Sequence, residues 1–283
     1  MKLCRFGQPG DEIPGLILED GRKIDASGFG EDYDEAFFGS DGLARLEKWA
    51  AENARTAPEV DDDVRIGPAI CRPSKIVCIG LNFSDHAIEA GMDVPEEPVV
   101  FFKASSAYCG VNDDLIIPKM SQKTDWELEL AFVIGKKASY VDEDGAMAYV
   151  SGYAMHNDYS ERNFQLERGG QWVKGKSCDS FAPFGPFMAT ADEIKDVYDL
   201  KMILKVNGET KQDGNTSYFI FRIPKLVSYL SQMMTLLPGD IISTGTPPGV
   251  GFGMKPPQFI KPGDVIEWSI EGLGSAKQNA VQA

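Results

Sequence analysis

Cysteine is sparse in this chain, and what there is forms no pattern. Cys4, Cys71, Cys78, Cys109 and Cys178 are odd in number, scattered and without a C-x-x-C pair. That argues for reduced thiols in a cytosolic compartment, and against a disulfide framework or a structural zinc site. Runs of lysine and arginine are missing as well: 28 basic residues face 43 acidic ones, for a formal charge of -15. Nucleic acid and anionic membrane are thereby disfavoured as partners, and a small anionic substrate would need its own local cations. No stretch approaches the roughly 20 apolar residues of a spanning helix, and no long apolar core follows Met1-Lys2. The expectation is a cytoplasmic protein, neither secreted nor embedded in a membrane. Internal repeats and low-complexity segments are also missing.

What is present is an ordinary globular composition, 43% hydrophobic and 25% charged, in 283 residues. That length can bury one large core with a small N-terminal module. Residues 1–70 read as the module, with a hairpin around Glu19-Asp20-Gly21-Arg22 and one amphipathic helix from Asp41 to Asn53. From residue 71 to 283 short apolar runs dominate: Lys75 to Leu81, Val99 to Lys103, Leu115 to Ile117, Trp126 to Ile134, Leu200 to Val206, Asp240 to Ser243 and Val265 to Ile270. Asn207-Gly208 is a strong hairpin turn signal. Helices are expected at Ser84 to Ala90, Asp142 to Val150, Ser160 to Glu167 and Pro224 to Thr235. Strands outnumber helices without alternating regularly, so the fold class is β-rich α+β, a roll or sandwich rather than a doubly wound sheet.

Within Asp125-Trp126-Glu127-Leu128-Glu129-Leu130-Ala131-Phe132-Val133 the side chains alternate, which puts Glu127 and Glu129 on one face. A half-buried strand with a wet acidic face is one reading. Against it, the acidic face runs on into Ala131 and Val133, so the acids are at least partly buried, and two like charges there need a cation. Asp158, in the Asn157-Asp158-Tyr159-Ser160 turn, completes a candidate set of three carboxylates. Oxygen-only donors favour Mg or Mn over zinc.

The chain has two histidines. His86 and Glu89 stand at i and i+3 of a short helix that Ser84 can cap, so a carboxylate can orient an imidazole acting as general base; a solvated helix with an incidental ion pair is the competing reading. His156, two residues before Asp158, fits a supporting partner of the carboxylates or a satisfied core histidine. Lys103 closes an apolar strand and Lys176 follows a glycine-rich turn; each either reaches water or turns inward to an anion. Ile242 to Gly251, rich in Gly and Pro, lacks the lysine and helix of a phosphate loop and suits close approach of backbone N–H groups to a ligand.

In order, Gly80-Leu81-Asn82-Phe83-Ser84-Asp85-His86, Phe102-Lys103, Glu127-Leu128-Glu129, Asn157-Asp158, Arg162, Gln165, Lys176-Ser177 and Thr244-Gly245-Thr246-Pro247-Pro248-Gly249-Val250 resemble the fumarylacetoacetate hydrolase family. The resemblance implies a β-roll, a homodimer, and Mg or Mn held by Glu127, Glu129 and Asp158. It also implies a His86/Glu89 dyad on a lid, Lys176 near the metal, and substrate contacts from Lys103, Arg162, Gln165, Gly245 and Thr246. Phe83 stands where many relatives have Tyr, and His156 is not a ligand position of the family.

The implied reaction is metal-dependent hydrolysis of a carbon–carbon bond in a small anionic 2,4-dioxo acid. Glu167 to Trp172 and Gly175 to Asp179 resemble the bacterial group acting on 2,4-diketo-3-deoxy-L-rhamnonate, which yields pyruvate and L-lactate. Alternatives are a lyase of the same fold, such as an oxaloacetate decarboxylase or ureidoglycolate lyase, and a non-catalytic protein that binds small acids.

Overall fold

Apolar, β-branched and aromatic runs set the strands, and the computed structural model of the chain, which describes residues 1–84 and 95–283, stacks them around a mixed ten-stranded sheet. Its strands are β1 (Lys2–Phe6), β2 (Ile13–Ile17), β3 (Lys23–Asp25), β4 (Ile76–Gly80), β5 (Val99–Lys103), β6 (Tyr108–Cys109), β9 (Leu128–Ile134), β10 (Val150–Asn157), β12 (Ala182–Thr190) and β15 (Ile241–Ser243). They run in the order β3-β2-β1-β12-β10-β9-β15-β4-β5, with β6 beside β12. A five-stranded sheet contains β7 (Leu115–Ile117), β13 (Lys201–Val206), β14 (Glu209–Asn215), β16 (Val265–Ile270) and β17 (Gly274–Gln282), and β8 (Thr124–Asp125) pairs with β11 (Ser160–Glu161). Helices α1 (Glu35–Gly39), α2 (Gly42–Asn53), α3 (Arg162–Leu166), α4 (Val173–Lys176) and α5 (Ile223–Met233) complete the elements used below. Few helices and mixed sheets make this the expected β-rich α+β fold.

β9 and β10 occupy the middle of the large sheet, and every residue of both is buried. Continuous burial follows from the apolar residues on both faces of β9, and it forces the polar residues there to find partners inside the protein. The register sets His156 opposite Glu129 and Asn157 opposite Leu128. On the other side of β9, β15 sets Ser243 opposite Ala131 and runs parallel to β4, with Ser243 beside Cys78.

Some expected boundaries shift. Glu127 lies one residue before β9 rather than within it. Its N–H donates to the Asn157 side chain at 2.9 Å and its carbonyl accepts from the Asp158 N–H at 2.8 Å, so a side chain replaces a ladder bond where the strands part. The segment expected to be helical from Asp142 is a 3-10 helix, Glu143–Tyr149, that gives way to β10 at Val150. The helix expected from Ser160 begins at Arg162, because Ser160 and Glu161 pair with β8 and the Glu161 carboxylate caps α3 by accepting from Asn163 N–H. The apolar runs do not mark β10, β12 or β17 as strands, whereas β14 is the second strand of the hairpin expected at Asn207-Gly208. The Asn207-Gly208 turn links β13 and β14, both residues having positive φ as a type I′ hairpin turn requires. The first three strands extend the large sheet through β1 pairing with β12.

Candidate active site

Glu127, Glu129 and Asp158 come from adjacent chain segments at the β9/β10 end, so each can offer a carboxylate oxygen within 4.8 Å of the other two. All three are buried. Like charges this close repel strongly where water cannot screen them, and the surrounding side chains show how the protein responds.

The Lys176 ammonium donates to Glu127 Oε2 and Asp158 Oδ2, both at 2.7 Å. Lys103 pairs with the other Asp158 oxygen and donates to the Tyr159 carbonyl at 3.0 Å. Arg162 reaches Glu127 Oε1 at 2.6 Å. Its Nε and Nη2 also donate to Asp125 Oδ2, at 2.9 and 2.7 Å, and its Nη1 donates to Gln165 at 3.0 Å. The result is a buried chain of alternating charge: Asp125, Arg162, Glu127, Lys176, Asp158, Lys103. Asp125 anchors one end by accepting from the N–H groups of Trp126, Gly251 and Phe252 at 2.7–2.9 Å.

This chain divides the carboxylates electrostatically. Burial works against the Asp158 charge, yet Lys103 and Lys176 outweigh it and hold its carboxyl below the usual range. Glu129 moves the other way: burial, then the charges of Asp158 and Glu127, push its carboxyl well above the usual range. Its Oε2 accepts from Ser243 Oγ at 2.5 Å and Gly245 N–H at 2.9 Å, but among the described residues no cation pairs with it. A divalent cation beside the three carboxylates would supply the counter-charge that Glu129 lacks. The donor set is all oxygen, so it fits a hard ion such as Mg or Mn.

Glu127 and Glu129 open onto a cavity of about 490 Å³, with Asp158 buried behind them. Glu127, Glu129, Arg162, Gln165, Lys176 and Thr246 form its polar floor, and Phe101, Trp172, Leu81, Leu166, Val250 and Phe252 its apolar wall. Phe101 and Trp172 meet edge to face at 5.2 Å, and the Lys176 ammonium lies 4.9 Å from the Phe101 ring centroid. Gly80 makes room for this wall, since a Cβ there would sit 3.1 Å from the Trp172 ring.

The structure thus brings together Glu127, Glu129, Asp158, Lys176, Arg162, Gln165 and Thr246. Lys103 lies behind Asp158, off the cavity wall. The Gly245 N–H is turned to Glu129, and Thr246 Oγ1 donates to the Leu128 carbonyl at 2.9 Å while accepting from Gln212 Nε2 at 2.8 Å. His86 and Glu89 lie outside the described residues. His156 donates from Nδ1 to the Pro183 carbonyl at 2.9 Å, with its Nε2 buried and unpartnered. Asp125, Ser243 and Gln212 were missed in the sequence; only the position of Asp125 beside Glu127 hinted at one of them.

A family profile described as Fumarylacetoacetate (FAA) hydrolase C-terminal matches residues 75–281. A Burkholderia multivorans protein whose name gives it as a hydrolase is 50% identical over 279 residues, covering 98% of each chain. The fumarylacetoacetate hydrolase of psychrophilic Exiguobacterium antarcticum superposes with a TM-score of 0.84 at 33% identity, over 100% of both chains. Maleylpyruvate hydrolase from Sphingobium sp. SYK-6, in complex with manganese(II) ion and pyruvate, gives a TM-score of 0.84 at 27% identity, also over 100% of both chains.

Replacing Glu129 with Gln keeps the side-chain volume and removes the charge. Calorimetric affinity for Mg or Mn is expected to fall by more than the roughly 10- to 100-fold typical of disturbing a ligand's supporting partner alone. The thermal midpoint in chelator is expected to match or exceed that of the parent, because the substitution also removes a buried charge. Parent-like metal affinity contradicts the assignment.

Proposed function

Because the chain belongs to the fumarylacetoacetate hydrolase family, we propose that it is a Mg- or Mn-dependent hydrolase of a carbon–carbon bond in a 2,4-dioxo acid. One observation carries the reading: a buried Glu129, without a counter-charge among the described residues, sits beside Asp158 and Glu127 at the floor of a cavity. The Sphingobium neighbour, with its manganese ion and pyruvate, supports the same ligand class.

The bound ion supplies Lewis-acid stabilisation of negative charge on a chelating 2-oxo acid. The protein's own residues do the rest. Four carboxylates in the charge chain and at Glu129 face three cations, Lys103, Arg162 and Lys176. A divalent ion turns that balance positive, which admits a substrate carboxylate into a negatively charged protein. Lys176 holds Glu127 and Asp158 in place and presents its ammonium to the cavity. Gln165 and Thr246 orient the substrate's oxygens, and Phe101, Trp172 and Phe252 exclude bulk water. In the step the family resemblance implies, His86 with Glu89 takes the proton from the attacking water, which adds to the distal carbonyl; the carbon–carbon bond then breaks with its electron pair on the pyruvate fragment, and that carbon takes up the proton as pyruvate departs.

For the acyl tail, the sugar-acid-derived 2,4-diketo-3-deoxy-L-rhamnonate is the leading candidate, supported by the resemblance of Arg162 to Asp179. The active form is a homodimer. Phe219 and Phe221 belong to the core while Tyr218 is exposed, so the aromatic stretch offers one side chain to such an interface. Light scattering at micromolar concentration is expected to give twice the 31.0 kDa chain mass, and the monomer mass contradicts the dimer.

Purified protein with Mg is expected to release pyruvate from 2,4-dioxo acids, with lactate accompanying it from the deoxy-rhamnonate derivative. His86→Ala lowers hydrolysis about 100- to 10,000-fold, the usual cost of losing a general base, and leaves any oxaloacetate decarboxylation much less affected. Equal losses in both reactions favour the lyase, and no turnover of any 2-oxo acid favours a binding protein.

A further inference from the structure

Beside the carboxylates lies a second donor set that the proposed reaction leaves unused. Cys78 on β4, His156 on β10 and Asp158 bring a thiol sulfur, an imidazole nitrogen and a carboxylate oxygen within 4.8 Å of one another, all buried. The Pro183 carbonyl can only accept, so His156 Nδ1 carries the ring hydrogen. Nε2 is then a bare lone pair, buried and without a hydrogen-bond partner among the described residues. Pro183 belongs to β12, which flanks β10 on the side away from β9. Nδ1 is therefore committed to β12, and Nε2 is the ring nitrogen left free to take an ion. A buried acceptor left unmet is destabilising, and Cys78 does not relieve it.

We propose that Cys78, His156 and Asp158 form a second cation site, selective for a thiophilic ion such as zinc(II), whose filling inhibits the enzyme. One thiolate, one imidazole and one carboxylate make a set that zinc accepts and that hard Mg does not. The Nδ1 bond to Pro183 supports it as such bonds support metal-binding histidines elsewhere, by fixing tautomer and ring orientation. A tetrahedral centre holds such donors roughly 3.5 Å apart, so three donors already within 4.8 Å of one another need only a small closure. On binding, the Cys78 S–H bond breaks, the proton leaves to water, and sulfur keeps the electron pair for the ion. Inhibition follows because Asp158 is shared. The incoming ion displaces Lys103 from Asp158 and draws the carboxylate away from Glu127 and Glu129. Only the inhibitory consequence rests on the hydrolase reading; the site itself does not.

Cobalt(II) titrated into the chelator-treated full chain tests the site directly through its thiolate-to-metal absorption. The parent and Glu129→Gln are expected to develop the band, Cys78→Ser to lose it, and His156→Gln to bind cobalt about 10- to 100-fold more weakly. In parallel, zinc inhibition of Mg-supported pyruvate release is expected to weaken at least about tenfold in Cys78→Ser. No thiolate band in the parent, or an undiminished band in Cys78→Ser, overturns the proposal. Should Cys78→Ser not fold, His156→Gln decides alone, parent-like cobalt affinity being the contrary result. The absorption does not depend on turnover, so a thiolate band without pyruvate release would count against the hydrolase reading and leave the cation site standing.

Discussion

The molecule is organised around four acids that it cannot leave charged and alone. Asp125, Glu127, Glu129 and Asp158 are all buried around the start of β9 and the end of β10, where an isolated carboxylate would be neutralised instead of ionised. Three are threaded on Arg162, Lys176 and Lys103, which alternate with them at ion-pair distance. The elements around the site follow from that requirement. β11 and α3 deliver Arg162, α4 delivers Lys176, and the end of β5 delivers Lys103. Among the described residues Glu129 receives only a hydroxyl and an amide from the β15 end, so it is the acid whose counter-charge is missing.

The same threads join the site to its walls. Asp125 binds Arg162 with one oxygen and, with both oxygens together, the N–H groups of Gly251 and Phe252, so the loop that carries Phe252 into the cavity is fixed to the charge chain. Trp126 strengthens the tie through its ring N–H, 3.0 Å from the Gly249 carbonyl. On the far side, Asn82 closes the wall with three bonds, donating to the carbonyls of Thr244 and Phe221 and accepting from the Phe221 N–H. The walls of the cavity are therefore held by polar fastenings as much as by apolar packing.

Much of this was legible before any coordinates. Alternation placed Glu127 and Glu129 together, and Ala131 and Val133 on the same face already implied burial, because a wet face would not continue as apolar. The Asn207-Gly208 turn and the helix ending at Asn53 were plain for local reasons. β10 and β12 were hidden because Gly152, His156, Gly185 and Pro186 dilute their apolar pattern, and their pairing is set by neighbours far away in sequence. Arg162 was expected to serve the substrate, yet most of its donors are spent on Asp125 and Glu127, and that follows only from the antiparallel pairing of β8 with β11. Asp125 gains its role from amides some 126 residues further along the chain, a contact that local pattern cannot contain. The groups that hold the carboxylates from behind were the least visible part, because long-range contacts choose them.

The central claim is that the three carboxylates hold a divalent ion through which the site takes a 2-oxo acid. Calorimetric titration of oxalate, a chelating analogue, into the chelator-treated protein with and without Mg tests it most directly. The account predicts saturable binding at one site per chain with Mg and none without it. Equal binding in the two conditions, or none in either, would contradict it.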